Sequence, residues 1–130
     1  MLTCSLRILT ALLFAGCALS QTPQSGDFAI SNFHFASGEQ LPQLRIHYTT
    51  LGRPQRDATG KVTNAVLIMH GTSGSGKQFL SPQFSGVLFQ NGQLLDASKY
   101  FIILPDDIGH GGSSKPSDGL HARLRCERSI

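Results

Sequence analysis

The chain has 130 residues, of which 40% are hydrophobic and 15% charged. This composition is typical of one small globular domain and indicates neither a disordered polyelectrolyte nor a bundle of membrane helices. Its formal net charge is +3, but the seven basic and seven acidic residues between positions 21 and 122 cancel. The excess comes from Arg7 and the segment 123–130, so a basic face for a nucleic-acid partner is not supported.

Residues 1–20 have the pattern of an export signal. Arg7 gives a weakly positive start, residues 8–19 form an apolar run, and residues 18–20 include the small side chains that a signal peptidase needs. The run is too short for a helix across a bilayer of about 30 Å. The sequence therefore predicts cleavage before Gln21 and a periplasmic or secreted protein.

Cysteine usage leaves a second route of export open. Residues 14–17 resemble a bacterial lipoprotein box, although Phe14 stands where such a box usually has Leu. If the box is used, Cys17 would carry a lipid and anchor the protein to a membrane. Cleavage before Gln21 would instead leave Cys126 alone, which excludes an intrachain disulfide and a metal site built on paired cysteines.

Short strands and turns are predicted for residues 21–122. Residues 28–35 are rich in β-forming side chains, residues 37–39 break the pattern, and residues 44–49 alternate apolar and polar side chains. These features predict an antiparallel hairpin. A polar connection follows over residues 53–64, where Pro54, Asp57 and Gly60 disfavour regular structure.

Two continuous apolar runs, residues 65–69 and 100–104, predict strands of a different kind. Such runs are typical of parallel strands that are covered on both faces, and we expect these two to be adjacent. The segment between them, about thirty residues, has the length of a crossover. Within it, residues 84–89 and 94–95 offer apolar faces for a helix or helical turns, although Gly86 interrupts the first.

A glycine-rich loop follows each of these strands, over residues 70–77 and 105–116. The carboxyl ends of parallel strands are where ligands bind in open α/β sheets, so both loops are expected at one edge. Glycine lets the backbone approach a ligand closely, and a backbone N–H can then point at a developing negative charge.

One interpretation of the first loop is a phosphate-binding loop for a nucleotide. Gly71, Gly76 and Lys77 have the required spacing after a buried strand. The next residue, however, is Gln78, which lacks the hydroxyl that such a loop uses to bind Mg²⁺. The nucleotide interpretation is therefore the weaker one.

The two loops together resemble the third and fourth strands of the α/β-hydrolase family. That resemblance covers residues 28–120, and the segments 38–48 and 107–113 are most similar to homoserine O-acetyltransferases and their hydrolase relatives. It rests on the following residues: His70, Gly71, Thr72, Pro105, Asp106, Gly109, Gly111 and Ser113. It implies an α/β fold, namely the N-terminal portion of a mostly parallel sheet preceded by an antiparallel hairpin, over residues 21–122.

The same resemblance implies roles for individual residues. The backbone N–H of Thr72 would form half of an oxyanion hole, and His70 and Gly71 would shape its loop. A structural turn would contain Asp106, Gly109, Gly111 and Ser113. Asp106 and Asp107 with His110 could also be considered as metal ligands, but Asp beside Gly more commonly stabilises turns. The partner would be a small-molecule acyl substrate, with no cofactor and no metal.

The serine nucleophile that this family uses is missing from the sequence. No window matches Gly-x-Ser-x-Gly, since residues 71–75 and 111–115 both fail at the last position. We therefore expect the nucleophile, acid and base beyond Ile130 and no catalytic residue within the chain. Residues 123–130 show no family resemblance, which predicts a truncated or frameshifted and inactive fragment. A non-enzymatic binding fragment is the alternative.

Overall fold

The computed structural model describes residues 22–118. The predicted export signal, the lipoprotein cysteine and the segment 123–130 lie outside these residues. The described part contains one four-stranded sheet, in the order β1-β2-β4-β3. Among its helices, none is long and apolar enough to cross a membrane.

The first two strands form the predicted antiparallel hairpin. Strand β1 spans Gln24–His34 and strand β2 spans Gln40–Leu51, so both are longer than the predicted runs. The turn between them is closed by two backbone hydrogen bonds of 2.8 and 2.9 Å at Phe35. Gly38 lies in this turn with a φ of +88°, a conformation that side chains disfavour, which explains the break at residues 37–39.

Strands β3 (Ala65–Leu67) and β4 (Phe101–Pro105) are parallel and adjacent, as predicted. The ladder continues one step beyond β3, because the N–H of Ile68 donates to the carbonyl of Ile103 at 3.0 Å. The other edge of β4 pairs antiparallel with residues 48–51 of β2. The described sheet is therefore mixed, and β4 joins the hairpin to the parallel pair.

The crossover between β3 and β4 contains two short helices. A 3₁₀ helix spans Gly76–Leu80 and helix α1 spans Pro82–Leu88. Helix α1 begins two residues before the predicted 84–89, because Pro82 occupies the first turn, where its fixed φ suits a helix. Residues 94–95 lie in turns rather than in a helix, and Gly92 has a φ of +79° there.

The core lies between these helices and one face of the sheet. It consists of buried side chains from β2, β4 and the crossover, namely Leu51, Phe89, Ala97, Ile102 and Leu104. Partly buried apolar side chains of both helices, among them Phe79 and Leu88, pack against it. The alternation of side chains along a strand places Ile102 and Leu104 on this covered face.

The opposite face of the sheet is open among the described residues. Phe28 is 60% exposed and Leu67 is 61% exposed. A shallow groove of about 280 Å³ crosses this face, lined by Phe28, Tyr48, Thr50, Phe101 and Ile103. The apolar runs 65–69 and 100–104 predicted cover on both faces, and residues 22–118 provide it on one.

Candidate functional site

The two glycine-rich loops lie at the same edge of the sheet, as predicted, and His70 joins them. The His70 side chain is fully buried, and its Nε2 lies 2.9 Å from the backbone nitrogen of Asp107 in the second loop. Since that backbone N–H can only donate, Nε2 is the acceptor, and the ring proton belongs on Nδ1. Nδ1 lies 2.7 Å from the carbonyl oxygen of Gly71.

In this arrangement, both ring nitrogens of His70 are bonded to backbone groups of the two loops. A general base needs a free lone pair, whereas the single lone pair of the neutral His70 ring already accepts the Asp107 N–H. His110, a candidate metal ligand on sequence grounds, packs edge-on against the His70 ring at 5.6 Å between centroids.

Asp106 makes a second connection between the loops. Asp106 is 3% exposed, and its two carboxylate oxygens accept different backbone N–H groups. Oδ1 accepts from Gly76 in the first loop at 2.7 Å, and Oδ2 accepts from Gly112 in its own loop at 2.7 Å. The carboxylate thus stabilises its own turn and also holds the first loop.

The bond to Gly76 was not anticipated from the sequence. An Asp that follows a buried strand and precedes glycines indicates a turn, but the sequence does not show which distant N–H it accepts. The same bond argues against the phosphate-binding interpretation, since a carboxylate occupies the Gly76 amide that would have to face phosphate. Groups of three or more side chains suited to hold a metal ion are absent from residues 22–118.

The second loop docks on strand β2 through its two serines. The Ser113 side chain accepts a hydrogen bond from the backbone N–H of His47 at 2.9 Å and donates one to the Asp106 carbonyl at 2.7 Å. Ser114 exchanges backbone and side-chain hydrogen bonds with Arg45. Through these contacts, the loop after β4 continues to pair with the edge of β2 beyond Pro105, the last residue of β4. The sequence does not indicate that β2 is the partner of this loop.

Glycine is required in the second loop at two predicted positions. Gly109 has a φ of +91° and Gly111 a φ of +49°, and both values lie in the region that glycine adopts at no steric cost. A Cβ on Gly111 would also collide with the Asp106 carboxylate. The turn composed of Asp106, Gly109, Gly111 and Ser113 therefore depends on the glycine at 111 to admit the carboxylate.

Thr72 lies at the exposed tip of the first loop. Its loop makes a turn that is closed by a hydrogen bond of 3.1 Å from the Gly74 N–H to the Gly71 carbonyl, with Ser73 at a φ of +67°. Within residues 22–118, no acceptor receives the backbone N–H of Thr72. A free N–H at the carboxyl end of a parallel strand is what an oxyanion-binding group requires.

A second buried carboxylate lies in the crossover, away from the two loops. Asp96 is 1% exposed and accepts hydrogen bonds from the Ser98 hydroxyl and from the backbone N–H groups of Gly92 and Ser98. These bonds, the Ser98 hydroxyl first, lower the pKa of Asp96 from 3.8 to about 2. Asp96 is thus a structural acceptor of the same chemical type as Asp106.

Comparison with known proteins gives relatives that transfer or hydrolyse acyl groups. The chain is 34% identical over 90 residues to a probable acyltransferase of Methanothermobacter thermautotrophicus, a match covering 69% of this chain and 27% of that protein. It is 34% identical over 91 residues to a homoserine O-acetyltransferase of Leifsonia xyli subsp. xyli, a match covering 62% of this chain and 21% of that protein. Its structure is similar to an acetylester hydrolase from Corynebacterium glutamicum, with a TM-score of 0.59 and 27% identity over 72% of this chain and 24% of that one. No protein-family profile matches the chain.

The described sheet, crossover and loops are therefore part of an α/β-hydrolase fold, as the paired glycine-rich loops predicted. Within that fold, the chain is a relative of acyltransferases, including a homoserine O-acetyltransferase. It spans about a quarter of the length of the curated relatives it matches.

Proposed function

We propose that the chain forms the oxyanion-binding part of an exported serine hydrolase or acyltransferase that acts on an ester, thioester or amide. The observation that carries this proposal is the backbone N–H of Thr72, an exposed residue after β3, for which residues 22–118 provide no acceptor. The relatives support it, because their names all denote transfer or hydrolysis of acyl groups. The substrate class is a small acyl compound.

In the proposed reaction, a serine hydroxyl attacks the carbonyl carbon and gives its proton to a base. The carbonyl π electrons move to the oxygen, which becomes negative and accepts the hydrogen bond of the Thr72 N–H. Loss of one such donor costs about 3 to 4 kcal/mol of transition-state stabilisation. The intermediate then expels its leaving group, and water or an acceptor hydroxyl takes the acyl group from the serine.

The nucleophile, acid and base belong, on this proposal, to sequence beyond Ile130. A donor without an activated nucleophile within about 3.5 Å of the carbonyl gives no acyl-enzyme, so the 130-residue chain itself is proposed to be inactive. Hydrolysis and transfer differ in how water is excluded from the acyl-enzyme. On this proposal, the exclusion of water depends on residues beyond Ile130.

The test compares this chain with a longer form that continues through a Gly-x-Ser-x-Gly segment, if the downstream DNA encodes one in any frame. Both are exposed to a fluorophosphonate probe and to p-nitrophenyl acetate. We expect stoichiometric labelling of one serine in the longer form and none in the 130-residue chain. Labelling of a serine in the short chain, abolished by heat, would contradict the placement of the nucleophile. Failure of the longer form to react would reject the enzymatic function in favour of a binding role.

Export is tested separately by mass spectrometry of the protein from a Gram-negative host. Loss of residues 1–20, with Gln21 at the amino terminus and no lipid, is the expected result. A diacylglyceryl group on Cys17 would select the lipoprotein route. An intact Met1 in the cytoplasm would reject both routes.

A further inference from the structure

Thr72 lies between two anchors that both attach to the loop after β4. Two residues before it, the buried ring of His70 accepts the N–H of Asp107 at 2.9 Å. Four residues after it, the N–H of Gly76 donates to the carboxylate of Asp106 at 2.7 Å. The two attachment points are adjacent in sequence, so one short segment of the second loop holds both ends of the first.

Between the anchors, the bonds among residues 22–118 are local to the first loop. The Gly71 carbonyl accepts from the Gly74 N–H at 3.1 Å and from Nδ1 of His70 at 2.7 Å, and the Ser75 carbonyl accepts from the Gln78 N–H. Thr72 and Ser73 are exposed. Ser73 also has a φ of +67°, a conformation that costs a non-glycine residue about 1 to 2 kcal/mol. A strained turn keeps such a conformation when its surroundings determine it, and here the surroundings are the two anchors.

The anchors are themselves rigidly placed. The Asp106 N–H donates to the carbonyl of His47 at 2.8 Å, and the second carboxylate oxygen is fixed by the Gly112 N–H. Ser113 then ties the Asp106 carbonyl to strand β2. A chain of hydrogen bonds therefore connects the central strand pair β2 and β4 to the base of the Thr72 turn.

We propose that Asp106, together with His70, is a positioning residue that fixes the Thr72 N–H by clamping the first loop to the second. Neither side chain would touch the substrate. Asp106 is suited to this role because each of its two oxygens accepts an N–H from a different loop. An Asn in the same orientation would place its NH₂ group, which only donates, against one of these two N–H groups. The expected effect on catalysis rests on the proposed function. The claim that Asp106 and His70 order the first loop does not depend on it.

The first experiment measures loop order in the 130-residue chain by ¹⁵N relaxation and amide exchange. In Asp106→Ala, we expect faster exchange at Gly76 and Gly112 by about tenfold or more, and a Thr72 order parameter that falls from about 0.85 to below about 0.6. In Asp106→Asn, the Thr72 order parameter should lie between those of the unmodified chain and Asp106→Ala. Asp96→Asn is the matched control, since it alters a buried carboxylate of the same kind outside the loops.

An unchanged Thr72 order parameter in folded Asp106→Ala would overturn the proposal, and so would an equal loss in Asp96→Asn. If Asp106→Ala does not fold, His70→Phe replaces it, because it removes the other anchor and keeps a buried ring. A rigid Thr72 in that variant would likewise contradict the clamp.

The second experiment measures kinetics in the longer form that contains the serine. Displacement of an oxyanion donor lowers the rate of the chemical step, so Asp106→Ala should reduce kcat by about 10- to 100-fold with little change in KM. Asp106→Asn should recover part of the loss, and Asp96→Asn should leave kcat unchanged. A change confined to KM would overturn the positioning role. If the unmodified longer form has no activity, the proposed function fails, and the relaxation experiment still decides the clamp.

Discussion

The Ser113 hydroxyl oxygen lies 2.9 Å from the backbone nitrogen of His47, and Ser113 is completely buried. This bond attaches the loop after β4 to strand β2, which is separated from it by more than sixty residues of sequence. Strand β4 ends at Pro105, so the His47 N–H has no carbonyl of β4 as its acceptor and donates to the Ser113 hydroxyl instead.

Ser113→Ala is expected to destabilise the protein by about 1 to 3 kcal/mol, because it removes the acceptor of the part-buried His47 N–H and the donor to the buried Asp106 carbonyl. Urea unfolding followed by circular dichroism measures the change. Ser37→Ala is the control, since Ser37 is exposed in the hairpin turn, and it should change stability by less than about 0.5 kcal/mol. Equal effects of the two substitutions would show that the Ser113 bond contributes nothing specific.

Gly52 and Gly60 provide a matched pair of turn positions. Both have positive φ values, +76° and +85°, so alanine costs about 1 kcal/mol or more at either. At Gly52 a Cβ would also collide with the carbonyl oxygens of Tyr100 and Ala97, whereas Gly60 faces open space. Gly52→Ala should therefore lose clearly more stability than Gly60→Ala in thermal unfolding, and equal losses would contradict the close approach at Gly52.

The pKa of Asp96 predicts a change of stability with pH. The folded state holds this pKa at about 2 against an ordinary 3.8, so the folded state binds the proton less readily than the unfolded chain. The stabilisation is complete above pH 3.8 and decreases as the pH falls towards 2. Asp96→Asn should therefore flatten the loss of unfolding free energy between pH 5 and pH 2. An unaltered pH profile in the variant would show that other carboxyl groups dominate.

The open face of the sheet predicts that the 130-residue chain associates with itself. Phe28 and Leu67 are each more than half exposed, and exposed apolar surface beside an unpaired strand edge promotes aggregation. Leu67→Lys should reduce light scattering at a given concentration without loss of secondary structure. Phe84→Lys alters an apolar side chain of helix α1 that is 44% exposed, and it should have the smaller effect.

Much of the fold could be predicted because its signals are local. The alternation in residues 44–49 and the glycine at 38 determine a hairpin, and the apolar runs 65–69 and 100–104 determine strands. The helix in the crossover is harder to predict, because Gly86 disfavours a helix while Pro82 allows one to start. The pairing of β2 with β4 could not be derived from periodicity, since it joins residues that are distant in sequence.

The candidate site divides in the same way. The positions of His70, Thr72 and Asp106 follow from the ends of two strands, so the sequence could place them at one edge. Their partners could not be predicted. The bond from Gly76 to Asp106 and that from His47 to Ser113 depend on the distances between loops, which arise only after the strands have paired.

The strand order has a consequence for the order in which the sheet can form. Strand β4 is the last strand of the described sheet in sequence, yet it lies between β2 and β3. The hairpin can form by itself, because its contacts are local. Strand β3, by contrast, pairs only with β4 among the described strands, so it stays unpaired until residues 101–105 have joined the sheet. The docking of β4 thus closes the sheet and brings the two glycine-rich loops together.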